Sequence, residues 1–162
     1  IDLDKVIPAL AENKVALVIV GGVAATVHGS AQATFDLDIC YAREQANLSR
    51  LVKALAPLHP RLRGAPAGLP FLWDAETLRR GLNFTLVTDG GDLDLLGEIA
   101  GVGGYDQTLA ASVPVAMFGV TCADLSLPAL IAARRAAARP RDLYSLPELE
   151  ALLEATKAEG EA

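Results

Sequence analysis

The sequence predicts an α+β fold, a mixed β-sheet flanked by helices, in one domain covering residues 1–162. Three observations predict it. The run VALVIV at 15–20 is β-branched and stops at two glycines, as a buried strand does. The runs NFTLVT and DLDLL, separated by DGG, are typical of a β-hairpin. Residues 44–57 carry leucines at helical spacing, so helices are expected to cover the sheet.

The first half of the chain alternates between the two kinds of element. Residues 3–13 predict an amphipathic helix, 15–20 a strand, about 23–28 a short helix, and 35–41 a second strand. The helix at 44–57 ends at Pro57, and the proline-rich segment 57–73 predicts a loop over a functional face. Asp74 is the expected N-cap of a short helix, AETLRR, which Gly81 closes.

The second half begins with the hairpin and ends in helices. A glycine-rich loop is predicted at 101–104, followed by the strands VPVAMF and VTCADL. Two closing helices, at about 126–138 and 141–157, form a helical C-terminal segment.

Composition excludes several classes of protein. The hydrophobic fraction of 52% excludes a disordered chain, and the apolar runs are far shorter than the roughly 20 residues of a membrane helix. We therefore expect a soluble, cytoplasmic protein without a signal peptide and without membrane contact. Cys40 and Cys122 lack metal-site or disulfide spacing. The net charge of −6 disfavours broad binding to nucleic acid, although clustered arginines at 134–141 leave a local phosphate site open.

Two aspartates occupy one face of the second predicted strand. Residues two apart in a strand project from the same side, so Asp36 and Asp38 form a pair opposite Phe35, Leu37 and Ile39. Like charges packed in a core repel each other and cost several kcal/mol to desolvate. A strand edge open to water would relieve this, and so would a divalent cation such as Mg²⁺, which prefers carboxylate oxygens.

Two further features favour the cation. Gly21 and Gly22 stand at a strand-to-helix junction, where absent side chains and free amides suit a phosphate. In GDLDLL, Asp92 and Asp94 again alternate with leucines, so a neighbouring strand is able to supply a third carboxylate. The alternative is structural: a tight turn at the glycines, a turn cap at Asp92, and arginines facing water.

The segments VIVGG, TFDLDI and GDLDLL, taken in order, resemble the DNA polymerase beta-type nucleotidyltransferase superfamily, in its small stand-alone bacterial branch of toxin-like and aminoglycoside-adenylyltransferase-like proteins. The resemblance spans about residues 15–145. Its last part, RRAAARPRDLYSLPEL, is similar to the basic helix and RPKD segment of that branch. The resemblance implies the nucleotidyltransferase fold.

The resemblance also implies roles for individual residues. Asp36, Asp38 and Asp94 become metal ligands and catalytic carboxylates, with Asp92 as the alternative third carboxylate. The nucleotide-binding residues it implies are Gly21, Gly22, Ser30, Arg134, Arg135, Arg139 and Arg141. Gln32 stands where relatives often carry arginine, which puts one phosphate contact in doubt. His28 and His59 have no evident partner and are expected to be structural.

The implied activity is the transfer of a nucleoside monophosphate from an NTP to a hydroxyl, with Mg²⁺ or Mn²⁺ as cofactor. The acceptor is the 3′ end of tRNA, a small molecule or a protein side chain. The tRNA acceptor would suit the toxin of a toxin–antitoxin pair, and an antitoxin protein is then an expected partner. The alternative hypothesis is a catalytically inactive module of the same fold that binds a nucleotide or a partner.

Overall fold

The fold is α+β, with a mixed sheet flanked by helices, as the sequence predicts. The structure is a computed structural model that describes residues 1–66 and 68–161. Its helices are α1 (Leu3–Glu12), α2 (Gly21–Val27), α3 (Gln45–Leu55), α4 (Ala75–Arg80), α5 (Tyr105–Ala110), α6 (Leu127–Ala137) and α7 (Pro140–Glu161). Its strands are β1 (Leu17–Val20), β2 (Asp36–Tyr41), β3 (Arg61–Leu62), β4 (Phe84–Thr88), β5 (Gly91–Leu96), β6 (Glu98–Ile99), β7 (Gly103–Gly104), β8 (Ser112–Met117) and β9 (Val120–Leu125).

One large sheet forms the centre, with strand order β3-β4-β5-β2-β1-β9-β8. Strands β2 and β5 are parallel, as are β1 and β9, while the other neighbours in the sheet are antiparallel. Strands β6 and β7 pair separately as a short antiparallel ribbon. The central pair β2 and β5 comes from chain segments about fifty residues apart, which the sequence could not align.

The alternation of apolar and acidic residues decides which face of β2 and β5 is buried. Leu37 and Ile39 of β2, with Leu93 and Leu95 of β5, are inaccessible to solvent. They belong to the same apolar core as the buried residues of α1 and α3. Since side chains alternate along a strand, the aspartates between them are turned to the opposite face.

Most predicted elements are confirmed. The hairpin forms as β4 and β5, and the Thr77 amide donates to Asp74 Oδ1 at 2.8 Å, which is the expected N-cap. Within the predicted loop 57–73, however, Arg61–Leu62 pairs with β4 and extends the sheet by one edge strand. A two-residue strand leaves no periodicity to detect, because its pairing is set by the partner strand.

Other boundaries differ from the predictions. Helix α2 begins at Gly21 rather than at Val23, directly after β1. Pro57 lies inside a 3₁₀ turn, Ala56–Leu58, which continues from α3. Part of the predicted loop 101–104 is strand β7, and α5 follows it at Tyr105. Proline fits the first turn of a helix because its missing amide has no partner there, so Pro57 does not stop the chain from turning.

Among residues 1–66 and 68–161, no helix has the length and apolar character that crossing a bilayer requires.

Candidate functional site

The register between β2 and β5 brings four aspartates to one face of the sheet. Asp36 lies opposite Asp92, and Asp38 lies opposite Asp94. Carboxylate oxygens of Asp36, Asp38 and Asp94 all lie within 4.8 Å of one another. Asp92 stays outside this group, at the outer end of the row. The structure therefore brings three of the predicted carboxylates together and separates them from the fourth.

Asp38 is the most perturbed carboxylate of this group. Its pKa is raised from 3.8 to about 8, chiefly by burial, then by the charge of Asp36 and by the hydrogen bond with Asp94. The nearby guanidinium of Arg134 acts in the opposite direction. A carboxylate in this position requires either a proton or a cation beside it, because like charges at this separation disfavour ionisation.

Arg63 approaches the same carboxylates from the edge of the sheet. Its backbone amide donates to Thr85 O of β4, so its side chain starts two strands away from Asp94. Nη2 donates to Asp94 Oδ1 and to Leu86 O, each at 2.8 Å, and Nε lies 3.3 Å from Asp92 Oδ2. Sequence reasoning missed this residue because it lies in a segment without a motif. The alternating Asp92 and Asp94 were the only signal that a cation was needed there.

The glycine bend after β1 makes room for Asp38. Gly21 has φ +65°, and a Cβ built on it would lie 2.1 Å from Asp38 Oδ2. A Cβ on Gly22 would lie 2.6 Å from Thr34 Oγ1. Any side chain at Gly21 would thus displace the carboxylate, and it would also strain the backbone. The bend fixes the distance between β1 and the aspartates of β2.

A cavity of about 460 Å³ opens in front of these groups. The glycine bend, the three clustered aspartates and helices α6 and α7 line it. Six carboxylates (Asp36, Asp38, Asp94, Glu98, Asp142 and Glu148) and three arginines (Arg134, Arg139 and Arg141) belong to its wall. The wall is therefore more negative than positive, and a free polyanion would meet net repulsion there.

Asp142 holds two of these arginines. It is 1% exposed, and its carboxylate accepts from Arg139 Nε at 2.7 Å and from Arg134 Nη1 at 3.5 Å. Burial opposes its ionisation, but the hydrogen bonds from the Arg139 side chain and amide outweigh it and hold the pKa of Asp142 below its usual value. At a helix start the sequence favours an N-cap role for Asp142, with a pairing to the basic segment as the alternative. The structure shows the pairing, in which the buried carboxylate fixes the direction of two guanidinium groups at the cavity wall.

The other predicted phosphate-site residues divide into two groups. Arg141 lines the cavity, whereas Arg135 lies outside it and pairs with Glu150 of α7. Consecutive helical residues point about 100° apart, and here Arg134 faces the cavity while Arg135 turns away from it. Ser30 lines the cavity, but its hydroxyl donates to Glu148 Oε1. The other carboxylate oxygen of Glu148, Oε2, accepts from the Ala31 amide at 3.0 Å.

Both histidines have partners that the sequence did not reveal. His59 contacts Asp89 at the surface. His28 Nε2 lies 2.9 Å from Leu125 O and 3.5 Å from Asp124 Oδ2. Because a carbonyl only accepts, Nε2 carries the proton. Asp124 is inaccessible to solvent, neither of its oxygens accepts a hydrogen bond, and burial raises its pKa from 3.8 to about 7.

The donor set defines what chemistry fits the site. Three carboxylates at this spacing suit a hard divalent cation such as Mg²⁺ or Mn²⁺, and would neutralise it without any other ligand type. Guanidinium groups such as those of α6 and α7 suit phosphate oxygens, to which arginine is able to donate two parallel hydrogen bonds. The combination accommodates a phosphorylated ligand that carries its own cation.

No protein family model matches the chain, and no curated protein matches it.

Proposed function

We propose that the protein is a divalent-cation-dependent nucleotidyltransferase that moves a nucleoside monophosphate from an NTP to a hydroxyl group. One observation carries the proposal. Asp36, Asp38 and Asp94 converge within 4.8 Å, beside a glycine bend that a side chain could not occupy, at the mouth of an arginine-lined cavity. The nucleotidyltransferase fold belongs to this proposal, because the sheet topology by itself supports only an α+β class.

Asp36, Asp38 and Asp94 would hold Mg²⁺ or Mn²⁺. The fit is supported by Asp38, whose burial beside Asp36 raises its pKa to about 8, so its ionised form needs a positive partner. When bound, the cations would supply charge neutralisation at the reacting phosphate and lower the pKa of the acceptor hydroxyl.

The protein's own groups would bind and orient the reactants. Arg134, Arg139 and Arg141 would bind the phosphates of the NTP, with Arg134 and Arg139 directed by Asp142. Because Gly21 has no side chain, the Asp38 carboxylate is able to lie directly against the bend. Asp94, whose Oδ1 is already held by Arg63, would use Oδ2 to accept the proton of the acceptor hydroxyl.

The excess of carboxylates in the wall bears on the order of binding. An NTP without a cation would be repelled, so the nucleotide should enter as its metal complex. The chain's net charge of −6 favours a small or locally bound acceptor over an extended RNA surface. The 3′ end of tRNA, a small-molecule hydroxyl and a protein side chain all satisfy this. The tRNA acceptor would make the protein the toxin of a pair with an antitoxin.

The test is a label-transfer assay with the full chain. Each of the four NTPs, labelled at the α-phosphate, is incubated with Mg²⁺ and with total tRNA, a library of hydroxyl-bearing small molecules, or cell protein. The wild type should label one pool, and Asp38→Asn should lose at least about a hundredfold in rate, because one ligand charge is removed. Asp106→Asn, at an exposed position of α5, is the matched control and should keep full activity. An active Asp38→Asn protein would refute the assignment.

A second candidate is a binding module that retains the fold without turnover. Two observations favour it: Gln32, in the cavity wall, is uncharged where relatives often carry arginine, and Arg63 already neutralises Asp94. In that case Mg²⁺ with an NTP would raise the melting temperature without pyrophosphate release. A ligand at a hundred times its dissociation constant adds about 2.7 kcal/mol of stability, which a thermal melt resolves. No shift with any NTP would exclude both candidates.

A further inference from the structure

Arg63 stands out among the charged residues because it contacts the carboxylate cluster from outside the cavity. It does not line the cavity wall, yet Nη2 donates to Asp94 Oδ1 at 2.8 Å. Its side chain is 28% exposed, and Nη2 also donates to Leu86 O, while the backbone amide of Arg63 donates to Thr85 O. Asp92 lies 3.3 Å from Nε.

These contacts fix the guanidinium independently of Asp94. Leu86 O of β4 accepts from Nη2, and the carboxylate of Asp92 lies 3.3 Å from Nε, so the guanidinium has two partners besides Asp94. Asp94, by contrast, gains from Arg63 a fixed direction for Oδ1, and Oδ2 is the oxygen that Arg63 does not hold. The arrangement also gives Asp92 a role: it anchors Arg63 rather than joining the cluster.

We infer that Arg63 is a positioning residue that sets the cation affinity of the third carboxylate. This inference rests on the proposed function, since it concerns the same carboxylates. With its positive charge fixed beside Asp94, Arg63 repels a divalent cation at that carboxylate and weakens its binding. A cation there is then held weakly on its own and tightly only when a nucleotide adds phosphate ligands. The resting site stays free of tightly held metal.

The sign of the effect follows from two opposing terms. Removal of Arg63 frees the Asp94 side chain to rotate, which weakens cation binding by a factor of a few. It also removes a unit positive charge next to a divalent cation, which strengthens binding by about tenfold or more at a partly solvated site. The backbone register with Asp38 keeps Asp94 in the cluster in either case. The electrostatic term is the larger, so the variant should bind cations more tightly.

The experiment measures Mn²⁺ binding to the full chain without nucleotide, by the paramagnetic resonance signal of free Mn²⁺. Arg63→Gln should bind Mn²⁺ at least about threefold more tightly than the wild type. Arg61→Gln is the matched control, because Arg61 lies on the same edge strand but contacts His59 O and Asp89. It should bind Mn²⁺ as the wild type does. In an Asp94→Asn background, Arg63→Gln should have no effect.

Equal or weaker Mn²⁺ binding by Arg63→Gln, or no binding by either protein, would overturn the inference. The same gain in Arg61→Gln, or a gain that persists with Asp94→Asn, would overturn it too, since the effect would then not pass through Asp94. Arg63→Met is a second variant in case Arg63→Gln does not fold. Loss of the fold in both would show that the residue is structural. The assay uses no NTP, so its failure is distinct from a failure of label transfer.

Discussion

Asp124 should make the stability of the protein depend on pH in a way that one substitution abolishes. Its carboxyl group is inaccessible to solvent and accepts no hydrogen bond, and burial raises its pKa from 3.8 to about 7. The folded state therefore holds the proton more tightly than the unfolded chain. The resulting stability is complete below pH 3.8 and is lost as the pH rises through 7.

The size of the stability loss is calculated for the part of this pH range that is accessible to experiment. An acidic chain precipitates readily at low pH, where its net charge approaches zero, so the measurements begin at pH 5.5. Between pH 5.5 and pH 7 the folded group keeps its proton and the unfolded group has lost it. Each pH unit then costs about 1.4 kcal/mol, which gives a loss of about 2 kcal/mol from Asp124 alone.

The assay is urea denaturation of the wild type and of Asp124→Asn at intervals from pH 5.5 to 8.5. Asparagine has nearly the same shape and does not titrate. The stability of Asp124→Asn relative to the wild type should rise by about 2 kcal/mol across the range and then level off. Comparison of the two proteins removes the contribution of every other titrating group, including Asp38. The charged or titratable groups close to Asp124 are His28, at 3.5 Å, and Cys122. A difference that stays constant with pH would refute the reasoning.

Two further predictions concern the cavity wall. Gly21→Ala should weaken Mn²⁺ binding at least tenfold and destabilise the fold by about 1 kcal/mol, because its Cβ would overlap Asp38 Oδ2. Gly64→Ala is the control, since Gly64 has a similar positive φ but open space around it. It should lose stability through backbone strain alone and leave Mn²⁺ binding unchanged. Mn²⁺ binding that is equal in the two variants would contradict this. Asp142→Ala should lower the free energy of unfolding by about 2 kcal/mol in urea and weaken NTP binding, because Arg134 and Arg139 lose their shared acceptor. Unchanged stability would show that Asp142 does not fix them.

The sequence was sufficient where the information is local. The alternation in TFDLDICY predicted that Asp36 and Asp38 share a face, because that follows from strand geometry alone. The N-cap at Asp74 and the hairpin turn were also predicted, because each depends only on residues close together in the sequence. The convergence of Asp94 with them required the parallel pairing of β2 and β5, which no local pattern specifies.

The residues that the sequence could not place are those whose partners are distant in the chain. Arg63 and Asp94 are thirty-one positions apart, and His28 and Leu125 are ninety-seven apart. A single sequence contains no signal for such pairs. The resemblance implied that Arg135 belongs to the phosphate site with the other arginines of its segment, but the side chain turns to Glu150. Helical geometry separates neighbours on a helix, and only the packing of α6 on α7 decides which of the two faces the cavity.

The register between β2 and β5 also links the acidic cluster to the stability of the core. If β5 slipped by one residue, Asp92 and Asp94 would enter the apolar layer now filled by Leu93 and Leu95, at a cost of several kcal/mol for each charge. The register that brings the three carboxylates together is therefore the same register that buries Leu93 and Leu95. A slip in register that separates the carboxylates would therefore also disrupt the apolar layer, and would be detected as a loss of stability.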